Sequence, residues 1–309
     1  QIGRRPSPSN GTTFALPTAE RRANVPAMAR ILLALATTDF DPTEAAIPWS
    51  VLTQAGHEVF VATAGGVQAT PDLLMLTGEG LDLWGAIPGL KKATIIGAVL
   101  RANADARAAF SAMAASPNFH APIPFTDLAA DAWDGLILPG GHRSAGVRPY
   151  LEDEALRAFV AGMFAAEKPV GAICHGVVVA ARAQREDGRS VLYGRKTTGL
   201  TWRQENLANQ IANITRFWDR NYYRTYVEET GDPPAFRSVE SEVRRALASP
   251  NDFLDVARSD GDFRRKTDGM HRDSENDDRP AFVVRDGNYV SARWPGDTFT
   301  FAKTFMRLL

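Results

Sequence analysis

The sequence predicts an α/β protein, a three-layer sandwich in which helices cover both faces of a mostly parallel central sheet. Short apolar runs alternate with helical patterns along the chain, which is typical of parallel strands joined by crossover helices. The apolar runs are continuous, as expected for strands that are buried on both faces. Two longer helical stretches interrupt this alternation, and we expect them to form a helical cap over one edge of the sheet.

The first strand is predicted at residues 30–36, where the chain is almost entirely apolar. Asp41 and Pro42 then begin a helix, with Asp as its N-cap and Pro at its first position. Gly56 is a typical residue just beyond a helix end, so this helix should reach residue 55. Pro48 lies within it and should kink or delay it.

The later elements follow from the same patterns. Strands are predicted at 58–62, 133–138 and 169–173, and a hairpin is predicted at 281–293 around Asp286 and Gly287. Apolar residues with a 3.6-residue period indicate a helix at 154–166. Further helices are expected at 177–183 and 298–309.

The two insertions are placed at about 73–122 and 206–258, within a single domain that spans residues 29–309. Their clearest helical segments are 102–115, 207–226 and 238–248. Residues 259–280 are charged and nearly free of aliphatic side chains, which predicts a mobile loop. Residues 1–28 are rich in Pro, Ser, Thr and Arg, lack the apolar stretch of a signal peptide, and are predicted to form a disordered or extended arm.

Composition excludes several classes of protein. The 309 residues carry 35 basic and 36 acidic side chains, a balance that argues against nucleic acid as a partner. No apolar run approaches the length of about 20 residues that a membrane span needs, so no membrane partner is expected. One cysteine cannot form an internal disulfide or a four-cysteine zinc site, and the five histidines show no metalloprotease spacing. We therefore expect no metal and no cofactor.

Cys174 is the most informative residue. A buried strand runs into Cys174-His175-Gly176 and then directly into a helix, which is the arrangement of a nucleophile elbow, where a sharp turn exposes the side chain at the top of a sheet. The N–H groups and the dipole at the start of that helix favour a thiolate, so a depressed pKa is predicted for Cys174. The alternative is a buried structural cysteine.

Two further segments follow strands at the same predicted edge. Pro139-Gly140-Gly141-His142 ends the strand before Cys174, and its backbone N–H groups are candidates for an oxyanion hole beside the sulfur. On its own the Pro-Gly-Gly sequence signals only a turn. Glu44 follows the first strand and is placed to reach the same crevice, where a protonated carboxyl would donate to the thiolate. The alternative is an ordinary glutamate that favours the helix dipole.

In this order the motifs resemble the ThiJ/PfpI superfamily, which has the class I glutamine amidotransferase-like fold. The matching pieces are Asp41-Pro42-Thr43-Glu44 with Pro48, Ala64-Gly65-Gly66, Pro139-Gly140-Gly141-His142, Ala172-Ile173-Cys174-His175-Gly176, Gly194-Arg195-Lys196-Thr197-Thr198-Gly199, Asp286-Gly287-Asn288 and Arg293-Trp294-Pro295-Gly296. The resemblance spans residues 29–205 and 281–309 and implies a flavodoxin-like sandwich. The size of the insertions is similar to that of the larger, glyoxalase III-like branch.

The resemblance implies a role for each matching residue. Cys174 would be the nucleophile, with the Glu44 carboxyl hydrogen-bonded to its sulfur. The N–H groups of Gly141 and His175 would bind an oxyanion, beside Gly140. The imidazole of His175 would be the general acid and base.

Three more residues complete the implied site. The acidic partner of His175 lies about thirty residues downstream in this branch, and we place it at Glu205. Trp202, in the same segment, is expected to shape the pocket. His142 is expected to line the pocket rather than to transfer protons.

Three functions are compatible with this site. The first is a cofactor-free enzyme for small reactive carbonyls, which converts methylglyoxal to lactate as glyoxalase III does or acts as a deglycase. The second is a Cys–His hydrolase or hydratase for an amide, a thioester or an isocyanide, with Trp84, Trp202 and Trp294 forming an apolar pocket. The third is a holdase chaperone or a redox-sensing stress protein.

True glutamine amidotransferase activity is disfavoured, because those enzymes place the catalytic histidine well downstream of the cysteine. The downstream candidate, His271, lies in a charged stretch. The resemblance also implies a homodimer that acts on a small molecule. A lone activated cysteine suits a reducing compartment, so we expect a cytoplasmic protein.

Overall fold

The computed structural model describes residues 1–3 and 28–309, so nearly all of the predicted N-terminal arm lies outside the described residues. The strands, numbered in chain order, are β1 (Arg30–Ala34), β2 (Thr38–Phe40), β3 (Glu58–Thr63), β4 (Thr70–Pro71), β5 (Ile123–Pro124), β6 (Gly135–Leu138), β7 (Val170–Ile173), β8 (Val283–Asp286) and β9 (Tyr289–Ala292).

The helices follow the same numbering rule. They are α1 (Pro42–Gln54), α2 (Leu73–Thr77), α3 (Ile96–Leu100), α4 (Ala104–Ala114), α5 (Pro117–His120), α6 (Ser144–Glu152), α7 (Glu154–Ala165), α8 (Gly176–Arg182), α9 (Trp202–Thr215), α10 (Val239–Ala246), α11 (Phe263–Thr267) and α12 (Thr298–Met306).

Seven strands form the central sheet in the order β5-β3-β1-β6-β7-β9-β8. All neighbours are parallel except β8 and β9, which form the predicted antiparallel hairpin. Helix α1 packs against α12, whereas α8 packs against α6, α7 and α10, so helices flank the sheet. The predicted α/β sandwich is confirmed. Strands β2 and β4 form a separate two-stranded parallel sheet.

The centre of the sheet is buried on both faces, as the continuous apolar runs predicted. Ile31, Leu32 and Leu33 of β1 are all fully buried between β3 and β6. Gly171 lets α12 approach the sheet closely, because a Cβ at that position would lie 2.8 Å from the ring of Phe301. Bulky side chains thus fill the core around β1, and the glycine at position 171 lets α12 pack closely against the sheet.

The first insertion is only partly a cap. Its second half, α4 and α5, packs beside the sheet, where the amide of Asn118 donates to the carbonyl of Val59 (3.0 Å) and Phe119 contacts Phe40 edge to face. The expectation that the whole insertion covers the sheet edge is therefore wrong for this half. Its apolar residues complete the main core instead.

The helix predicted at 207–226 has different bounds. Helix α9 begins at Trp202, because the hydroxyl of Thr201 caps it by accepting the N–H of Gln204 (3.3 Å). It ends at Thr215, and the chain then turns through Asn221, whose φ is +65°. Residues 216–226 are thereby free to fold back over the sheet edge, which is important for the site.

The prediction of a mobile loop at 259–280 is wrong. This segment contains α11, and its buried carboxylate Asp273 accepts the N–H groups of Phe299 (3.2 Å) and Thr300 (2.7 Å) at the start of α12. A charged composition predicts a solvated loop, but here the charged side chains bind the loop to backbone groups.

In the part of the chain that the structure describes, no helix is both long enough and apolar enough to cross a membrane.

Candidate active site

Cys174 lies on a sharp turn between β7 and α8. Its φ is +56°, a backbone conformation that is uncommon for a residue with a side chain. The turn is fixed on both sides, because the Cys174 N–H donates to the carbonyl of Ala292 (3.1 Å) and a Cβ at Gly176 would overlap the carbonyl of Leu138. The geometry is that of the predicted elbow, with the thiol 7% exposed at the carboxyl edge of the sheet.

The imidazole of His175 lies between the thiol and a hydroxyl. Its Nδ1 is 3.5 Å from Sγ of Cys174, and its Nε2 is 2.9 Å from Oγ1 of Thr225. The Thr225 hydroxyl donates its single proton to the carbonyl of His142 (2.7 Å). It must therefore accept a proton from Nε2, so this network assigns the neutral tautomer with an unprotonated Nδ1 facing the thiol.

The protonation state of His175 follows from its surroundings. Burial above all, followed by the neighbouring imidazole of His142 and the charges of Arg224 and Arg182, lowers the pKa of His175 to about 3. The imidazole is therefore neutral near pH 7 and able to accept a proton. The imidazole needs no change of tautomer before its Nδ1 accepts the proton of the thiol.

The predicted depressed pKa of Cys174 is wrong for the resting protein. Burial raises the pKa of the thiol well above its ordinary value, and the carboxyls of Glu44 and Asp41 raise it further. The N–H of His175 acts in the opposite direction, but it is outweighed. The sequence showed the helix start that favours a thiolate but not the depth of burial that opposes one. Cys174 is thus a neutral thiol at rest, beside a neutral base.

Glu44 is fully buried beside this thiol. One carboxyl oxygen, Oε2, accepts the N–H of Gly140 (2.8 Å), whereas the buried Oε1 has no hydrogen-bond partner among the described residues. The predicted hydrogen bond to the Cys174 sulfur is therefore not formed at rest, although the thiol is near enough to affect the pKa of the carboxyl. Burial first, and the nearby Asp41 second, raise the pKa of Glu44 well above its ordinary value. Glu44 is therefore a neutral acid that can donate a hydrogen bond to a developing thiolate.

The two glycines at the end of β6 differ in what they can offer. The N–H of Gly140 is occupied by Glu44, whereas the N–H of Gly141 donates to no acceptor among the described residues and borders the cavity. The N–H of His175 faces the sulfur. Gly141 and His175 thus present the two N–H groups available to an oxyanion.

Gly140 cannot carry a side chain without disturbing this arrangement. A Cβ there would lie 2.7 Å from the nitrogen of His175, 3.0 Å from Oε2 of Glu44 and 3.2 Å from Cβ of Cys174. The position packs the three reacting groups together. Its contribution to the site is the absence of a side chain.

Glu205 lies at the same cavity but does not contact His175. Its carboxylate pairs with Arg224 (Oε1 to Nε, 3.0 Å) and accepts the N–H of Val239 (3.1 Å). Thr225, the residue after Arg224, occupies the position at the imidazole where the sequence placed Glu205. The structure therefore assigns Glu205 to holding the 216–226 segment rather than to the imidazole.

His142 and Trp202 were both expected at the pocket. His142 borders it and stacks on Tyr223, with ring centroids 4.3 Å apart. Burial lowers the pKa of His142 to about 3, so it is neutral. Trp202 does not border the cavity; its ring lies against the guanidinium of Arg224, 5.0 Å away.

The sequence reasoning missed several residues of the site, and all but one of them lie in the insertions. These residues are Met75, Tyr223, Arg224, Thr225 and Arg272. No motif marks them, because an insertion has no counterpart in the minimal fold. The role of Thr225 is visible only in the structure, from the distance between its hydroxyl and the imidazole of His175.

The cavity next to Cys174 has a volume of about 150 Å³ and mostly apolar walls. Glu44, Gly141 and His142 border it near the sulfur, and Trp294 borders it from the loop after β9. Among the residues that the structure describes, no group of three or more His, Cys, Asp or Glu side chains is placed to hold a metal ion.

Comparison with known proteins matches residues 35–230 to the group described as ThiJ/PfpI family-like. The match covers more than half of the chain, which therefore belongs to the ThiJ/PfpI superfamily. A deglycase of Thermococcus kodakarensis, TK1284, is 26% identical over 187 residues, which are 60% of this chain and 69% of that protein.

Solved structures share the fold. Glyoxalase III of Candida albicans aligns with a TM-score of 0.55 and 17% identity, covering 91% of this chain and 98% of its own. The 24 kDa rapid encystment protein of Francisella tularensis aligns with a TM-score of 0.54 and 14% identity, covering 91% and 99%. At these identities the likeness is one of fold alone.

Proposed function

We propose that this protein is a cofactor-free enzyme that acts on small reactive carbonyls with Cys174 as the nucleophile, converting methylglyoxal to lactate. The observation that carries the proposal is the approach of the His175 Nδ1 to the Cys174 sulfur, 3.5 Å, at a strained turn beside a neutral carboxyl. A nucleophile next to an oriented base is the general signature of covalent catalysis.

In the first step, the thiol adds to the aldehyde. The Cys174 proton passes to Nδ1 of His175 as the sulfur bonds to the aldehyde carbon. The carbonyl oxygen takes up the electron pair, stabilised by the N–H groups of Gly141 and His175. Protonation of this oxygen by the imidazolium gives a hemithioacetal and restores the neutral base.

The second step moves a proton between carbons. Nδ1 of His175 removes the proton from the former aldehyde carbon, which forms an enediol, and returns a proton to the neighbouring carbon. The product is a lactyl thioester on Cys174. Water hydrolyses this thioester, releases lactate and restores the thiol. The sequence adds one water overall and needs no external oxidant or reductant.

The neutral carboxyl of Glu44 supports each step at the sulfur. A protonated carboxyl donates a hydrogen bond that strengthens as negative charge develops on sulfur, whereas an ionised one would repel that charge. The deglycase of Thermococcus kodakarensis and the fold shared with glyoxalase III agree with carbonyl chemistry at this site.

A second candidate is a Cys–His hydrolase for an amide or a thioester. It is favoured by the relay from Thr225 to His175 to Cys174, because a base held in one tautomer also suits acyl transfer. The two candidates differ in their first step, which is addition to an aldehyde or to an acyl carbon. A homodimer and a cytoplasmic location stay predictions.

The experiment follows methylglyoxal consumption and lactate formation without glutathione, for the wild type and for Cys174→Ala. Lactate from the wild type, with none above background from the variant, would support the proposal. A wild type that consumes no methylglyoxal but hydrolyses model thioesters in a Cys174-dependent manner would favour the second candidate. Client-protein holding that survives Cys174→Ala, without turnover, would indicate a chaperone.

A further inference from the structure

The cavity wall opposite the sheet edge is apolar and comes mostly from the insertions. Three apolar side chains of α9 border the cavity, Leu207, Ala208 and Ile211, beside Gln204 and Glu205 of the same helix. Residues Val99 and Leu100 at the end of α3 complete this wall. We call this group, together with Met75 and Met270, the apolar wall.

The outer members of the apolar wall are exposed to water. Val99 is 55% exposed, Leu207 42% and Met270 60%, whereas Cys174 at the reacting end is 7% exposed. Large apolar side chains gathered around the mouth of a cavity, with a buried reactive group at its base, are typical of a ligand site. The cavity thus has a polar inner end and an apolar outer end.

The charged side chains that also border the cavity are bound by other parts of the protein. Asp268 accepts the N–H groups of Met270 (2.8 Å) and His271 (3.1 Å), and Arg272 donates to the carbonyl of Leu100 (2.8 Å). Glu205 is paired with Arg224. These three charged groups are therefore paired within the protein. Most of the remaining wall is apolar, and Nε2 of Gln204 and Nε1 of Trp294 are buried polar atoms of lining residues that have no partner among the described residues.

Methylglyoxal would leave most of this surface uncovered. A cavity of about 150 Å³ lined by apolar side chains is large enough to hold benzene. We propose, building on the proposed function, that the preferred substrate is a 2-oxoaldehyde whose ketone carbon carries a branched alkyl or aryl group of about that size. The aldehyde lies at Cys174 and the apolar arm lies against α3 and α9.

The first experiment compares kcat/KM for methylglyoxal and isobutylglyoxal, whose arms differ by three carbons. Burial of an extra carbon favours binding by about fourfold, so the three extra carbons should raise kcat/KM by about sixtyfold. The variant Ala208→Phe fills the cavity from α9 and should reduce the ratio of the two values to about one. Gln210→Phe, at an exposed position of α9 away from the cavity, is the matched control and should keep the wild-type ratio.

A second readout needs no turnover. The rate at which iodoacetanilide alkylates Cys174 is divided by the rate for iodoacetamide. In the wild type and in Gln210→Phe this ratio should exceed the ratio for a small free thiol, and in Ala208→Phe it should be lower than in the wild type. If neither glyoxal is consumed, the proposed carbonyl function fails, and the alkylation ratio still decides whether the cavity accepts an apolar arm.

Two results would overturn the inference while leaving the proposed function intact. One is a kcat/KM for isobutylglyoxal no higher than that for methylglyoxal. The other is a ratio that Ala208→Phe leaves unchanged, which would mean that the exposed apolar side chains serve a different contact, such as a partner protein.

Discussion

The Nε2 atom of His175 lies 2.9 Å from Oγ1 of Thr225, and this contact fixes which ring nitrogen faces the Cys174 sulfur. The hydroxyl takes the position where a triad would have an acid. It orients the imidazole but does not supply a negative charge to stabilise an imidazolium. Since the pKa of His175 is already lowered to about 3, the arrangement keeps the base neutral between turnovers.

Replacement of Thr225 should therefore affect catalysis through orientation. We expect Thr225→Val to lower kcat by about tenfold to a hundredfold, because either tautomer can then face the thiol. Thr225→Ser keeps the hydroxyl and should restore most of the activity. Kinetics of both variants, with melting temperatures to check folding, test this. Equal losses in Thr225→Val and Thr225→Ser would mean that the methyl group rather than the hydroxyl matters.

Gly140 should be intolerant of any side chain. A Cβ in Gly140→Ala would meet the backbone of His175 at 2.7 Å, so we expect an activity loss of at least tenfold and destabilisation of about 1–3 kcal/mol. Gly261→Ala is the control, because its Cβ would have no atom within 4 Å. Assays of activity and chemical denaturation on both variants test this. A fully active Gly140→Ala would show that the three groups can separate without loss.

The buried carboxyl of Glu44 should make stability depend on pH. Its pKa is raised in the folded protein, so the unfolded chain ionises from about pH 4.5 upward while the folded protein stays protonated. The free energy of unfolding should then fall as pH rises above the unfolded pKa, by at most about 1.4 kcal/mol per pH unit from this group, until the folded carboxyl ionises.

Glu44→Gln removes that contribution. Its stability relative to the wild type should therefore rise steadily with pH, as measured by denaturation between pH 5 and 8, the window that begins above the unfolded pKa. Glu58→Gln, at an exposed position, provides the baseline. A stability difference for Glu44→Gln that falls as pH rises would indicate that the folded carboxyl is ionised.

Glu205 should matter more for stability than for the chemical step. Burial raises the pKa of Glu205 to about 7 despite the nearby Arg224, so the carboxyl is only partly ionised at neutral pH. Glu205→Gln removes the partner of the buried Arg224, which should destabilise the protein by about 3 kcal/mol at pH 8, where the carboxyl is mostly ionised. With no contact to His175, the shape of its kcat profile against pH should match the wild type. Denaturation and pH-dependent kinetics distinguish these effects. A shifted kinetic pKa without destabilisation would instead support the acidic partner that the sequence predicted.

The fold was predictable because its signals are local. The apolar run of β1, the cap at Asp41 and the elbow at Cys174 each depend on residues adjacent in sequence. The parallel order then places Glu44, Gly141 and Cys174 at one edge of the sheet, which a sequence can imply without distances.

What was missed depends on contacts between distant segments. Thr225 reaches His175 because α9 ends at Thr215 and the chain folds back, and no motif signals that return. The raised pKa of Cys174 depends on its burial in the folded chain and on the nearby carboxyls of Glu44 and Asp41, which local sequence does not encode. The prediction of a mobile loop at 259–280 failed for the same reason, because the Asp273 carboxylate binds a backbone N–H about 26 positions away.

The most direct test of the account is detection of the covalent adduct during turnover. Methylglyoxal with an NMR-active isotope at its aldehyde carbon is mixed with excess wild-type protein and with Cys174→Ala. We expect a hemithioacetal carbon signal in the wild type that decays as labelled lactate appears, and neither signal from the variant. Lactate formed by Cys174→Ala at the wild-type rate would contradict it.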